Sequence, residues 1–72
     1  FLVESVSPNS PAFKGGIQAG DVIYQIEEHP INSIVQALDI VAETKPNAAL
    51  NFKLYRQGKS VTTEVTIVEF IN

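Results

Sequence analysis

The side chains best suited to chemistry in this sequence are Glu27, Glu28 and His29, which follow one another directly. His29 is the only histidine, and the chain has no cysteine. Nucleophilic catalysis needs a hydroxyl or thiol, a base and an acid that orients the base. Adjacent carboxylates on an extended chain point in opposite directions, so Glu27 and Glu28 do not face each other across a substrate. We therefore interpret this stretch as a solvated turn that holds neither a catalytic residue nor a metal ion.

A second stretch to test contains the glycines at positions 15, 16 and 20, because glycine-rich loops often hold phosphates. This glycine-rich element itself lacks a Lys-Ser or Lys-Thr pair. The glycines also lead into an apolar run typical of a strand. A phosphate-binding loop instead precedes a helix, whose first N–H groups are free to bind the phosphate. The glycines are predicted to be corners of the backbone, and no cofactor is expected.

Length and charge narrow the function classes further. Seventy-two residues with a formal net charge of −3 fit one small domain. The five Lys and Arg residues are scattered, so the chain has no basic patch for nucleic acid or an anionic membrane. No apolar run approaches the roughly 20 residues that a membrane helix requires. We expect no nucleic-acid partner and no direct membrane contact from this segment.

The first half of the chain is predicted to contain two strands and a short helix. Residues 1–6 are rich in strand formers and are predicted as the first strand, with Leu2 and Val6 on one face. A helix of one or two turns begins near Pro11 and ends at the glycine pair 15–16. Residues 22–26 form a buried strand, and residues 27–30 form the turn that follows it.

The second half is predicted as a long helix and a hairpin. Ser33 is the expected N-cap, with Asn32 as the alternative, and Gln36 stands where a capping box places Glu or Gln. The helix should end near Thr44, before Pro46. The last elements are strands at 48–56 and 60–70, joined by a turn at 57–59. The predicted fold class is α+β: a small, curved antiparallel sheet capped by one short and one long helix.

The long helix has an unusually broad apolar face. Its polar residues Gln36, Asp39 and Glu43 cluster on one side. The opposite side carries Ile34, Ala37, Leu38, Val41 and Ala42. A helix that lies only on a sheet needs an apolar stripe of about 100°. Part of this wider surface is therefore predicted to face something other than the core of its own domain, although the core could also absorb any single one of these residues.

Residues 3–31 carry a specific resemblance. They read V-x-x-V-S-P-N-S-P-A-F-K-G-G-I-Q-A-G-D-V-I-Y-Q-I-E-E-H-P-I, and Pro46-Asn47 follows where related sequences have Pro-Gly. With the later strand that ends in Y-R-Q-G-K, this pattern resembles the PDZ domain of HtrA/DegS-type bacterial periplasmic serine endoproteases. The segments L-D-I-V-A-E and V-T-T-E-V-T-I-V-E-F are most similar to the DegS type. The resemblance covers residues 1–72, which we interpret as one PDZ domain.

The resemblance implies a binding function and no catalysis within these residues. In such domains an extended C-terminal peptide adds as a strand beside the long helix. By position, the groove residues are Ala37, Leu38 and Val41, with Ile34 beside them. The implied ligands are C-termini of unfolded outer-membrane proteins, and binding would relieve inhibition of a separate serine protease domain. The implied whole protein is a periplasmic homotrimer tethered to the inner membrane.

One departure from the family pattern affects the expected affinity. The related domains carry, upstream of the position where Phe1 begins, a strand and a Tyr-Ile-Gly-Ile-like loop that holds the carboxylate of the peptide. The printed sequence does not contain this segment. We therefore expect the 72 residues alone to be a partial domain with weak or no affinity for peptides. An exposed sheet edge and an apolar helix face also predict self-association of this fragment.

Two other functions remain open for the same fold. The domain could be the substrate filter of an intramembrane site-2 metalloprotease, or an interaction domain of a scaffold or secretion system without a protease. The sequence upstream distinguishes these functions. A G-N-S-G-G motif indicates a serine protease, transmembrane segments with H-E-x-x-H indicate the metalloprotease, and no catalytic domain indicates the scaffold.

Overall fold

A computed structural model describes residues 1–68, which form two helices and four strands. The elements are α1 (Pro11–Lys14), β1 (Val22–Ile26), β2 (His29–Pro30), α2 (Ile34–Glu43), β3 (Ala49–Arg56) and β4 (Lys59–Thr66). All strand pairs are antiparallel, and the order across the sheet is β2-β1-β3-β4. The predicted α+β class, with one short and one long helix against a small sheet, is confirmed.

The short helix α1 is fixed at both ends by local contacts. The Ser10 hydroxyl caps it by accepting a hydrogen bond from the Phe13 N–H at 3.2 Å. At the other end, Gly15 lies directly on β4, and its carbonyl accepts a hydrogen bond from the Thr63 hydroxyl. A Cβ atom at position 15 would lie 2.7 Å from Cγ2 of Val65. Glycine is therefore required here for close packing.

The long helix α2 begins as predicted, with one difference in its cap. The Ser33 hydroxyl accepts a hydrogen bond from the Gln36 N–H at 3.4 Å. The Gln36 side chain accepts from the N–H of Asn32 at 2.6 Å, whereas a capping box would close on Ser33. Thr44 ends the helix, and its hydroxyl donates to the Ile40 carbonyl. The predicted boundaries of α2 are confirmed.

A β-bulge in β1 aligns its apolar residues with the core. Ile23 pairs with Leu54 and Ile26 pairs with Phe52, so three steps along β1 match two steps along β3. The extra residue is Tyr24, which lies between the two registers. Strict alternation would turn Ile23 and Ile26 to opposite faces, yet both are buried. The bulge therefore lets both isoleucines of this short strand face the core.

The β3–β4 hairpin follows the predicted alternation. Leu50, Phe52 and Leu54 are buried on one face of β3. A two-residue turn with positive φ at both Gln57 and Gly58 connects the strands, which suits the twist of a tight hairpin. The final strand was predicted over 60–70, but β4 already ends at Thr66. The part of that prediction at 69–70 lies outside the described residues.

The predicted first strand at residues 1–6 is wrong in extent. A single bridge joins Leu2 to Val22, and no regular strand forms over these residues. Backbone hydrogen bonds of 2.8 Å join Val3 to Gly20 and Asp21, which form the corner where β1 begins. The Phe1 carbonyl accepts a hydrogen bond from the Ile23 N–H at 2.8 Å, whereas residues 4–6 have no strand partner within residues 1–68. The inward residue is Val3, while Leu2 is exposed.

The predicted turn at 27–30 is too long. Only Glu27 and Glu28 form the turn, whereas His29 pairs with Ile26 and Pro30 pairs with Gln25 as strand β2. Proline is tolerated there because β2 lies at the edge of the sheet, where one missing N–H donor does not break a ladder.

The hydrophobic core lies on one face of the sheet and extends to α2 and the connecting loops. Ala37 is the buried residue of α2, and Ile40 and Val41 pack against the core from the same helix. The buried apolar residues are Val3, Ile17, Ile23, Ile26, Ile31, Ala37, Leu50, Phe52, Leu54, Val65 and Ile67.

A buried ion pair joins the corner before β1 to the end of β3. The Asp21 side chain is 1% exposed and accepts hydrogen bonds from Nε and Nη2 of Arg56 at 2.9 and 2.8 Å. Asp21 also accepts from the Gln18 N–H at 2.8 Å, and Arg56 donates to the Gly16 carbonyl at 2.8 Å. The hydrogen bond from Arg56 is the main reason why the pKa of Asp21 lies below its ordinary value.

This ion pair predicts a specific sensitivity to acid. Because the pKa of Asp21 is lower in the folded chain than in the unfolded chain, its stabilisation is present above the unfolded pKa of about 3.9. That stabilisation is lost as the pH falls through the folded value. Asp21→Asn should lower the free energy of unfolding at neutral pH by about 1–3 kcal/mol, and flatten the acid side of its pH profile in urea unfolding experiments.

Asp39→Asn is the matched control, because Asp39 is exposed on α2 and makes no ion pair with any residue of 1–68. The control should keep the stability and the acid profile of the original chain. If Asp21→Asn lost stability in acid as steeply as the original chain, the buried pair would not be the source of that dependence.

Candidate ligand-binding cleft

An apolar cleft of about 300 Å³ lies between α2, α1 and the core-facing side of the sheet. We call it the α2 cleft. It contains no charged side chain among its lining residues. These residues are Phe1, Val3, Ser10, Pro11, Ala12, Ile17, Ile23, Ile34, Ala37, Leu38, Val41, Phe52, Val65, Ile67 and Val68.

All four residues predicted as the groove wall line this cleft. Ile34 and Leu38 are 54% and 58% exposed, so both large apolar side chains stand open to solvent. Ala37 is buried, and Val41 is half-buried against the core. The helix therefore presents an open wall at Ile34 and Leu38, and closes the base of the cleft with Ala37 and Val41. That these residues bind a peptide stays a prediction.

The floor of the cleft could not be identified from the sequence pattern. Ile23 and Phe52 lie on the paired strands β1 and β3. Val3 contributes to the floor from the N-terminal segment. These residues are far apart in the chain, and only their apolar character marks them. Val35 shows the opposite case, since it is 62% exposed on α2 but does not line the cleft.

A second groove continues from the cleft past the start of α2. This N-terminal groove is lined by Phe1, Leu2, Val3, Glu4, Ser5 and Ile34, and three of these residues also line the α2 cleft. The backbone of Val3 bonds to the corner before β1. The N–H and C=O groups of Leu2 and Glu4 make no backbone hydrogen bond within residues 1–68. Within residues 1–68, the outer side of this segment is therefore unpaired.

The residues first considered for catalysis lie elsewhere. Glu27, Glu28 and His29 line an open depression together with Asn51 and Lys53. The Glu27 carboxylate accepts a hydrogen bond from the Asn51 N–H at 3.0 Å, so it supports the turn. In the described part of the chain, no three His, Cys, Asp or Glu side chains are placed to hold a metal ion. Neither helix of residues 1–68 is long and apolar enough to span a membrane.

Comparison with known sequences identifies relatives across the whole domain. The profile of the PDZ domain family matches residues 1–67. Serine endoprotease DegS of Haemophilus influenzae is 42% identical over 70 residues, which cover 97% of this chain and 21% of DegS. The periplasmic pH-dependent serine endoprotease DegQ of Escherichia coli is 35% identical over 66 residues, covering 92% of this chain and 14% of DegQ. The chain thus spans about a fifth or less of these curated relatives.

Solved structures show the same architecture. The crystal structure of the serine endoprotease from Yersinia pestis matches with a TM-score of 0.90 and 34% identity, covering 97% of this chain and 26% of that one. The HtrA3 PDZ domain bound to a phage-derived ligand, FGRWV, matches with a TM-score of 0.79 and 28% identity. That match covers 90% of this chain and 56% of the HtrA3 chain. The predicted PDZ-like fold is confirmed.

Two leucine truncations test how the cleft is built. Leu54 is fully buried, so Leu54→Ala should lower the free energy of unfolding by about 2–5 kcal/mol through lost contacts and the cavity left behind. Leu38→Ala removes the same atoms from an exposed position on the cleft wall. It should change the free energy of unfolding by no more than about 0.5 kcal/mol. Urea unfolding followed by circular dichroism measures both. A comparable loss in the two variants would show that Leu38 belongs to the core.

Proposed function

Because this chain belongs to the PDZ domain family, in the form carried by DegS- and HtrA-type serine endoproteases, we propose that it is a peptide-binding regulatory module. Its ligand is the extended C-terminal tail of another protein, whose last hydrophobic side chain enters the α2 cleft. The observation that carries this proposal is the open wall of Ile34 and Leu38 over an apolar floor. A contiguous apolar surface of this kind, as opposed to a single exposed residue such as Val35, is typical of a ligand-binding site.

The energetics favour a hydrophobic end on the ligand. Burying one Leu or Phe side chain contributes roughly 1.5–3 kcal/mol to the binding free energy. The apolar lining of the cleft provides a surface on which such a side chain can be buried. Main-chain hydrogen bonds from an added strand supply further affinity. The ligand of the HtrA3 domain also ends in an apolar residue, valine.

The proposal extends to the longer protein that carries this domain. We propose that this protein is a periplasmic serine endopeptidase of the DegS type, tethered to the inner membrane and assembled as a homotrimer. Its domain recognises exposed C-termini of unfolded outer-membrane proteins, and binding activates the separate protease domain in an envelope stress response. The physical requirement is that the peptide binds the active arrangement more tightly than the inactive one.

The relatives favour this function over the two alternatives. DegS and DegQ are named as serine endoproteases, and neither is named as a metalloprotease or a scaffold. The substrate filter of a site-2 metalloprotease and the scaffold domain share the fold, so they would use the same cleft. The upstream part of the reading frame remains the direct test between them.

Peptide titration tests the binding function. The natural protein that carries this domain should bind a ten-residue peptide ending in phenylalanine, measured by isothermal titration calorimetry. Amidation of the peptide terminus should weaken binding, because it removes the carboxylate. Leu38→Ala should weaken binding about fivefold, which corresponds to about 1 kcal/mol of lost apolar contact.

Val35→Ala is the matched control for this titration, because Val35 is an exposed apolar residue of α2 outside the cleft. It should leave the affinity unchanged. Failure of the original protein to bind any peptide with a hydrophobic end would refute the proposed function. Equal effects of the two variants would refute the assignment of the cleft.

Activation of the protease tests the regulatory part. Adding the same peptide should raise the rate at which the natural protein cleaves a reporter substrate. Leu38→Ala should shift the half-maximal peptide concentration upward by the factor found in the titration. The maximal rate should stay unchanged, since Leu38 contacts the peptide and not the reaction. A domain that binds the peptide while the cleavage rate stays constant would contradict regulation.

A further inference from the structure

We propose that Arg56 is a positioning residue for the α2 cleft, although it does not line the cleft itself. Its guanidinium holds the loop between α1 and β1, and this loop places apolar residues where the last side chain of the ligand is bound. The inference rests on the proposed function, because it concerns the same hydrophobic end of the ligand. It makes a charged contact outside the cleft one determinant of the preference for that end.

The Arg56 side chain contacts both ends of this loop, which spans residues 16–21. Its Nη2 donates to the Gly16 carbonyl at 2.8 Å, and its Nε and Nη2 donate to the Asp21 carboxylate at 2.9 and 2.8 Å. A guanidinium can serve these acceptors together because its N–H donors lie in one rigid plane, whereas the ammonium of lysine is a point charge. Arginine therefore closes the loop in a way that lysine does not reproduce.

Two residues that line the α2 cleft are attached to this loop. Ile17 follows Gly16 directly and is 4% exposed. At the other end of the loop, the Val3 N–H donates to the Asp21 carbonyl, and the Val3 carbonyl accepts from the Gly20 N–H, both at 2.8 Å. These bonds lie on the inner side of the N-terminal segment, so a further strand on its outer side would leave them in place.

The contacts of Arg56 act on the apolar lining of the cleft and not on the helix wall. The wall residues of α2 lie on a helix that has its own cap at Ser33. A radial gap of about 0.5–1 Å already removes about a quarter to a half of the dispersion energy of a contact. A small displacement of Ile17 and Val3 therefore weakens the contact with a large ligand side chain, while the main-chain hydrogen bonds of the ligand remain.

Two peptides that differ only in their last residue measure this effect. Both contain ten residues, and they end in phenylalanine or in alanine. The natural protein should bind the phenylalanine peptide at least about tenfold more tightly, the ratio expected for burial of one large side chain. Arg56→Lys keeps the charge but not the planar set of donors, and should lower this ratio by about two- to tenfold. Isothermal titration calorimetry measures both affinities.

The ratio separates positioning from a general loss of stability. A partly unfolded protein binds both peptides more weakly by the same factor, so its ratio stays constant. Val61→Ala is the matched control, because Val61 packs against the core from β4 but does not line the cleft. It should lower the free energy of unfolding and keep the ratio. If circular dichroism shows that Arg56→Lys does not fold, Asp21→Asn takes its place and should lower the ratio in the same direction.

The outcomes distinguish the two proposals. If the original protein binds the phenylalanine peptide no more tightly than the alanine peptide, the proposed function fails, and the role of Arg56 fails with it. If that preference is present and the folded variant of the ion pair keeps it, only the role of Arg56 is overturned. An equal fall of the ratio in Val61→Ala would overturn that role as well.

Discussion

The ion pair between Asp21 and Arg56 is the contact on which the rest of the structure depends. A buried carboxylate is tolerated only when it is paired and its lone pairs are satisfied, and Asp21 meets this condition through Arg56 and the Gln18 N–H. The same pair fixes the loop that carries Ile17 and the corner that bonds to Val3. Because both of these apolar residues line the α2 cleft, the shape of the cleft is linked to a charged contact outside it.

The sequence predicted elements whose cause is local. Ser10 and Ser33 cap their helices, and apolar alternation identifies β3, because these signals act within a few residues. Other features could not be predicted because they depend on which partner each segment meets in the folded chain. These features are the single bridge that replaces the strand at 1–6, the edge strand β2 and the bulge at Tyr24. The residues on the helix side of the cleft can be predicted from the helical periodicity of α2. The residues of the floor cannot, because strands that are distant in the sequence pair to bring them together. Only resemblance to a family assigned a ligand to this surface.

The domain combines a small core with an outward apolar surface. A chain of this size buries about 60% of the surface exposed when unfolded, so each apolar side chain left outside lowers an already modest stability. Local rules of folding are most often broken where function requires it, and Ile34 and Leu38 break the rule that large apolar residues lie inside. The same exposure explains why self-association is predicted.

Neighbouring residues of α2 differ in how much sequence change the fold tolerates. Leu38 lies largely outside the packed interior, while its helical neighbour Ala37 lies within it. Substitutions at the outer position can therefore change the surface of the cleft without endangering the architecture beneath. Physical packing alone therefore permits sequence change at position 38 more readily than at position 37.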